Sequence, residues 1–200
     1  MSNNSAKKTH KLVVAAMLST LAFILMFIET PVPMLIPSFV KLDISDLPAI
    51  MGAFALGPIW GAGIELIKNL LFILLHGTGS AYVGELFNFI CGAAYAITAG
   101  LVYKTNKSKK GALIASICAA VVMGVISVPL NYFVVYPAYV ELFHLPLPVI
   151  IGMYQALNPA ADTLLKCLLM FNLPFTIGKG MLDAIICMLV YKPLSPILHK

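Results

Sequence analysis

Residues 172–191 read NLPFTIGKGMLDAIICMLVY, an apolar stretch that carries a lysine, Lys179, near its middle. The stretch is long enough to cross a bilayer as a helix, because a span needs about 20 apolar residues. A charged side chain at such a depth costs roughly 2.5–3.5 kcal/mol on insertion scales, so it ordinarily faces a cavity, a ligand or a partner charge. Lys179 therefore marks a candidate functional site.

The composition places the whole chain in the membrane class. Of its 200 residues, 60% are hydrophobic and 10% are charged, and the mean hydropathy is +0.96. Soluble domains carry about 25% charged residues. We therefore expect one membrane-embedded domain over residues 1–200, with short loops and a polar, basic tail at residues 1–10.

Hydropathy predicts an all-α bundle of six transmembrane helices. The predicted spans lie near residues 11–29, 45–57, 59–76, 82–104, 111–138 and 172–192. The second span is short, and the pair Gly57-Pro58 predicts a tight break after it. The apolar run from Leu12 to Ile28 has no small-residue cleavage site before Glu29, so we interpret it as a retained helix rather than a signal peptide.

Lysine positions predict the orientation, since the sequence contains no arginine. Lysines cluster before the first span, between the fourth and fifth spans, and after the sixth. With six spans these clusters fall on one side of the membrane, which the positive-inside rule makes cytoplasmic. We therefore expect a multi-pass protein of the cell membrane with both termini in the cytoplasm.

The first outer loop, TPVPMLIPSFVKLDISDLP (residues 30–48), is too apolar to be only a solvent-exposed connection between helices. Its prolines forbid a regular helix, so we expect the loop to fold back over the bundle as a lid. The alternative is a loop that merely rests in the membrane interface. On the same side, the segment from Leu164 to Met170 is expected to form an interfacial helix.

Polar residues of three predicted spans fall at one depth. Counting 1.5 Å per residue from the predicted helix ends places Asn88, Asn131 and Lys179 at one level in the outer half. Further polar or aromatic residues lie within about a turn of that level: Thr176, Tyr132 and Tyr136. These six residues predict a ligand-binding pocket that opens to the outside.

Each polar residue also has a purely structural interpretation. Lys179 could pair with Asp183 at i,i+4 on its own helix, and Glu65 could pair with Lys68 at i,i+3. The asparagines could form interhelical hydrogen bonds that hold the bundle together.

Small residues mark helix faces suited to close packing. The fourth span carries Gly92, Ala96 and Gly100 at i,i+4 steps. The first span carries two overlapping pairs, Ala15 with Ser19 and Ala16 with Thr20. Such faces pack inside the bundle or against another membrane subunit.

Catalytic signatures are missing from the sequence. The tripeptide GKG at residues 178–180 lacks the flanking residues of a phosphate-binding loop, and neither HExxH nor GxSxG occurs. The four cysteines are scattered without CxxC spacing, which favours packing over a metal site. We therefore expect neither an enzyme nor a metalloprotein, and no nucleic-acid partner.

Three motifs resemble the riboflavin-specific S-components of energy-coupling factor (ECF) transporters. They are LDISDLPAIMGAFALGPIWGAGIELIKNLL (residues 42–71), LNYFVVYPAY (residues 130–139) and PFTIGKG (residues 174–180). The resemblance implies a six-helix subunit that binds the vitamin as its transported ligand, with no cofactor. It also implies partners: a membrane T-component and two ATPase subunits, which would explain why this chain has no phosphate-binding loop.

The resemblance also implies roles for particular residues. Asn131 and Lys179 match pocket residues of the family, whereas Thr176 stands where the family has a second asparagine. The family's docking face for the T-component would correspond to one of the two small-residue pairs of the first span, Ala15 with Ser19 or Ala16 with Thr20. Two alternatives stay open: an S-component for another vitamin or flat heterocycle, and a structural or assembly protein of the membrane.

Overall fold

The computed structural model describes the backbone of residues 2–198 and the side chains of residues 5–190. The nine α-helices of this region are α1 Ser2–Met26, α2 Leu47–Ala55, α3 Pro58–His76, α4 Val83–Thr105, α5 Lys109–Leu130, α6 Tyr136–Phe143, α7 Leu147–Gln155, α8 Leu164–Cys167 and α9 Leu173–Leu198. Two π-helical turns, π1 (Asn131–Val135) and π2 (Leu168–Asn172), join α5 to α6 and α8 to α9. Two short strands, β1 (Thr30–Pro31) and β2 (Lys41–Leu42), pair antiparallel.

Five helical segments of the described region are long and apolar enough to cross a membrane. They are Ser5–Met26, Pro58–His76, Val83–Thr105, Lys109–Phe143 and Leu164–Val190. The prediction of an all-α membrane bundle is thus confirmed, whereas the count of six spans is not. The predicted second span is the nine-residue helix α2, which at 1.5 Å per residue covers about 13 Å of a hydrocarbon core of about 30 Å.

Helices α2 and α3 form a hairpin that turns at Gly57. The φ angle of Gly57 is +116°, a conformation that L-residues with a side chain rarely adopt. Helix α3 has 19 residues and returns to the end of the bundle where α1 finishes, whereas α2 has only nine residues. Since both helices start from the same turn, the first residue of α2 lies well inside the bundle. The first loop must therefore descend into the bundle before α2 starts.

Several predicted helix boundaries differ from the structure. Helix α1 extends back to Ser2, so residues 2–10 are helical rather than a separate tail. The segment from Leu164 to Met170 is not a separate interfacial helix, because it opens the last long helix and continues through π2 into α9. A short helix that we did not predict, α7, precedes it.

The two π-helical turns have a common cause in the sequence. Each lies just before a proline, Pro137 or Pro174. A proline ring clashes with the carbonyl group four residues earlier and offers no N–H. The wider turn bonds an N–H to the carbonyl group five residues earlier instead, so the helix continues past the proline.

The small-residue stripe of α4 packs inside the bundle, as predicted, and its contacts are with α3. A Cβ atom added at Gly100 would lie 2.8 Å from the Cα atom of Pro58, and one at Gly92 would collide with the carboxylate of Glu65. Only glycine permits these contacts. Helix α4 therefore lies close against α3 along this face.

The two small-residue pairs of α1 lie on different faces of the helix, one buried and one exposed. Ala15 and Ser19 are buried inside the bundle, at 6% and 1% exposure. Ala16 and Thr20 are exposed on the outer surface. Adjacent residues of a helix point about 100° apart, so only one of the two candidate pairs, Ala16 with Thr20, is exposed to a partner subunit. Docking at α1 stays a prediction.

Candidate functional site

A cavity of about 700 Å³ lies at the end of the bundle where residues 27–46 and 77–82 connect the helices. Its volume is within the range of small-molecule sites. Aromatic side chains from five parts of the chain form much of its wall: Phe39, Phe72, Phe87, Tyr136, Tyr139 and Phe175. Polar side chains are interspersed among these rings, so the cavity can receive a flat, mostly apolar molecule with polar edges.

Five of the six predicted pocket residues line this cavity: Asn88, Asn131, Tyr136, Thr176 and Lys179. Tyr132 does not. Its side chain is 39% exposed and makes an edge contact with Phe133, with ring centroids 5.0 Å apart. Tyr132 follows Asn131 directly and so points to a different face of the helix, which corrects the prediction.

Lys179 lies deeper in the bundle than Asn131, not level with it. Its neighbour Gly180 packs against Ala120 of α5, where an added Cβ would lie 2.9 Å from the alanine Cβ. Asn131 follows Ala120 by eleven residues, or roughly 15 Å along the helix. The depth count failed because α6 and α8 extend their helices beyond the predicted ends. Lys179 therefore forms the floor of the cavity.

Three polar side chains face the cavity without a hydrogen-bond partner among residues 5–190. Within the described residues, the side chains of Asn88, Asn131 and Thr176 make no hydrogen bond, although Asn131 and Thr176 are only 5% and 8% exposed. Buried polar groups are nearly always hydrogen-bonded. The asparagines therefore do not hold the helices together here, and their amides are left to bind a molecule inside the cavity.

Lys179 is bound by carboxylates of the first loop. Its Nζ lies 2.9 Å from Oδ2 of Asp43 and 3.0 Å from Oδ2 of Asp46. Asp46 also accepts from Lys68 at 2.6 Å, and Lys68 pairs with Glu65 at 2.6 Å. The i,i+3 pair of Glu65 and Lys68 is thus confirmed, as part of a larger network.

The alternative pair of Lys179 with Asp183 does not form in the structure. Both carboxylate oxygens of Asp183 are buried without a hydrogen-bond partner among residues 5–190. Lys179 instead reaches across to the first loop. The charge on Lys179 therefore connects that loop with the cavity floor.

The loop carboxylates are held in their charged form by the lysines. Burial alone would raise the pKa of Asp43 and of Asp46, but the ammonium groups of Lys179 and Lys68 outweigh burial and hold both pKa values below the ordinary range. Ser45 contributes a further hydrogen bond, donated by its backbone N–H to Asp43 at 2.9 Å. The sequence did not predict Asp43 and Asp46 as partners of Lys179, because the first loop was expected to lie over the bundle rather than to enter it.

The sequence reading also missed Asn172, the last residue of π2. Its Oδ1 accepts a hydrogen bond from the hydroxyl of Tyr154 at 2.7 Å, and its Nδ2 donates to the hydroxyl of Tyr136 at 3.4 Å. The two tyrosine hydroxyls also bind each other. Phe39 of the first loop packs edge-on against both rings. The sequence Asn172-Leu173-Pro174 could have indicated this residue, because a polar side chain two residues before a proline in an apolar helix is unusual.

The fold and the cavity together define a membrane-embedded protein that binds a small molecule between its helices. A profile described as "ECF transporter, substrate-specific component" matches residues 10–191. The chain belongs to this family, the substrate-specific (S) components of ECF transporters.

Similar proteins cover nearly the whole chain. "Riboflavin transporter RibU" of Staphylococcus aureus (strain TCH60) is 34% identical over 97% of this chain and 95% of its own length. "Riboflavin transporter FmnP" of Bacillus subtilis (strain 168) is 32% identical over 94% of each chain. A solved structure of the S component of a bacterial ECF transporter has a TM-score of 0.74 and 32% identity, covering 96% of this chain and 99% of that one.

Proposed function

We propose that this chain is the riboflavin-binding S-component of an ECF-type uptake transporter. It captures the vitamin in the cavity and delivers it inward together with a T-component and two ATPase subunits. The observation that carries the proposal is the set of unpaired side chains, Asn88, Asn131 and Thr176, in a cavity with aromatic walls. The names of the full-length relatives as riboflavin transporters support the choice of ligand.

Riboflavin fits the chemistry of this cavity. Its tricyclic ring is flat and largely apolar, which suits the aromatic walls. Its pyrimidine edge carries both donors and acceptors, and an asparagine amide can pair with either kind. Thr176 stands where the family has an asparagine. Its hydroxyl can still form a hydrogen bond, but its side chain reaches less far into the cavity than an asparagine amide would.

The orientation follows from the lysines. The clusters that include Lys11, Lys104 and Lys110 lie at the end of the bundle opposite the cavity, and the positive-inside rule assigns that end to the cytoplasm. Both termini are then cytoplasmic, with α2 counted as a short sixth segment. The cavity faces outside, beneath the first loop.

The first loop serves as the lid in this proposal. Ile36 is fully buried, Phe39 contacts the tyrosines of the wall, and Asp43 binds the cavity floor. Opening of these contacts would widen access to the cavity, and their closure would hold a bound ligand inside. The exposed pair Ala16 and Thr20 on α1 provides the smooth outer face on which the T-component docks.

The pigment of the purified protein tests the proposed function. Flavins absorb blue light, so protein purified from riboflavin-fed cells should be yellow, and denaturation should release riboflavin identifiable by mass. A colourless protein that releases another heterocycle would reassign the ligand within the family. A protein that binds no small molecule would favour the structural alternative.

A further inference from the structure

Glu85 is a buried carboxylate in the cavity wall that has no lysine partner. It lies in the first turn of α4, is only 6% exposed, and lines the cavity. Among the residues with described side chains, no ammonium group pairs with it. Charged residues at such burial are ordinarily paired, so Glu85 requires an explanation.

Two hydroxyl groups fix the position of this carboxylate. Thr78 Oγ1 and Ser80 Oγ donate to Oε2 of Glu85 at 3.0 Å and 2.6 Å. Thr78 Oγ1 also accepts from the backbone N–H of Tyr82 at 2.9 Å, and Ser80 Oγ accepts from that of Gly84 at 2.9 Å. Each hydroxyl is thus held by the backbone while its hydrogen points to Glu85. Oxygen Oε1 has no hydrogen-bond partner in the described part of the chain.

Among the described residues, the other lysine and acidic side chains that line the cavity are already paired. Lys41 binds Glu29 at the rim, and Lys179 binds Asp43 at the floor. Glu85 therefore leaves the cavity with one uncompensated negative charge. Glu85 precedes Asn88 by about one helical turn on α4, so it lies nearer to the mouth of the cavity than Asn88 does.

We propose that Glu85 binds the ribityl chain of the ligand and sets the preference for riboflavin over its 5′-phosphate. This inference rests on the proposed function. Oε1 accepts a hydrogen bond from a ribityl hydroxyl, and such O–H···O⁻ bonds are short and strong. A phosphate at the end of the same chain has only acceptor oxygens and about two negative charges, so Glu85 repels it and no unpaired lysine attracts it.

Three flavins titrated into purified protein at pH 8, where the phosphate is a dianion, test this role. The probes are riboflavin, its 5′-phosphate, and lumichrome, which has the ring without the ribityl chain. Glu85→Gln should weaken riboflavin binding about tenfold, because it replaces a charge-assisted hydrogen bond with a neutral one. The affinity for lumichrome should stay unchanged. The ratio of the affinity for riboflavin to that for the 5′-phosphate should fall at least about tenfold.

Two further variants make the result specific. Glu85→Asp keeps the negative charge on a shorter side chain. It should therefore weaken riboflavin binding while the 5′-phosphate is still bound poorly. Glu141→Gln removes an exposed carboxylate of α6 that does not line the large cavity, and should change none of the three affinities.

Two outcomes overturn the inference while leaving the proposed function intact. One is an equal loss for all three flavins in Glu85→Gln, which would show a purely structural role. The other is an unmodified protein that binds the phosphate as tightly as riboflavin. Absence of riboflavin binding by the unmodified protein would instead refute the proposed function itself.

Discussion

The Nζ atom of Lys179 lies 2.9 Å from Oδ2 of Asp43, a residue 136 positions earlier in the chain. Lys179 belongs to the cavity floor and Asp43 to the loop that covers the cavity. Both side chains are largely buried, at 9% and 11% exposure. The pair therefore fastens the covering loop to the deepest part of the site.

Removal of either charge should loosen this attachment. Lys179→Met leaves Asp43 without its ammonium partner, whereas Asp43→Asn leaves Lys179 still bound to Asp46. Since a buried charge that loses its partner costs about 3 kcal/mol or more, Lys179→Met should lower the melting temperature in detergent more than Asp43→Asn. Both should weaken riboflavin binding.

The double variant and a surface pair provide the controls. If the two residues act together, the combined loss in Lys179→Met with Asp43→Asn is smaller than the sum of the single losses. The exposed pair Asp162 and Lys166, 2.7 Å apart, should tolerate the same changes with little effect. Strictly additive losses would contradict the direct attachment.

The amide of Asn131 should contribute directly to ligand affinity. Asn131→Ala removes a buried hydrogen-bonding group that has no protein partner, so a ligand group is left unpaired at a cost of about 1 kcal/mol or more. Tyr132→Ala is the matched control, because the next residue faces away from the cavity. Equal effects of the two substitutions in a fluorescence titration would refute the assignment of Asn131.

Substitutions in α1 should separate docking from folding. Ala16→Trp places a bulky ring on the exposed face, and we expect it to abolish co-purification with the T-component while ligand affinity stays unchanged. Ala15→Trp forces the same ring into the packed interior, so it should destabilise the protein instead. An Ala16→Trp protein that assembles and transports normally would show that this face of α1 is not the docking surface.

Transport should depend on an added energy source. The chain has no nucleotide-binding motif, so in vesicles it should bind riboflavin but not accumulate it. Accumulation should appear when a T-component, two ATPase subunits and ATP are supplied. Concentrative uptake by the chain alone, driven by an ion gradient, would place it among secondary transporters.

The sequence predicted those features that depend on local pattern. Hydropathy detected all five long helices and placed both ends of α3 and α4 within one residue. The apolar, proline-rich first loop indicated a segment that folds back onto the bundle. Lys179, Asn131 and Thr176 were recognisable because polar groups in apolar helices are rare.

Features that depend on distant contacts were not predictable in this way. The partners of Lys179 come from a loop whose descent into the bundle follows from the shortness of α2. The helix starting at Leu164 was predicted as a separate interfacial helix, because Pro174 normally ends a helix and the π turn that accommodates it has no clear sequence pattern. Glu85 escaped notice because a carboxylate near a helix start is ordinarily a solvated residue.

The most direct test is a riboflavin titration of the purified chain alone in detergent. Binding is measured as quenching of the flavin fluorescence. We predict saturable one-to-one binding with a Kd below about 1 µM, weakened in Asn131→Ala and Lys179→Met but retained in Tyr132→Ala. No saturable quenching by the unmodified protein, or full affinity in both cavity variants, would contradict the claim that this cavity binds riboflavin.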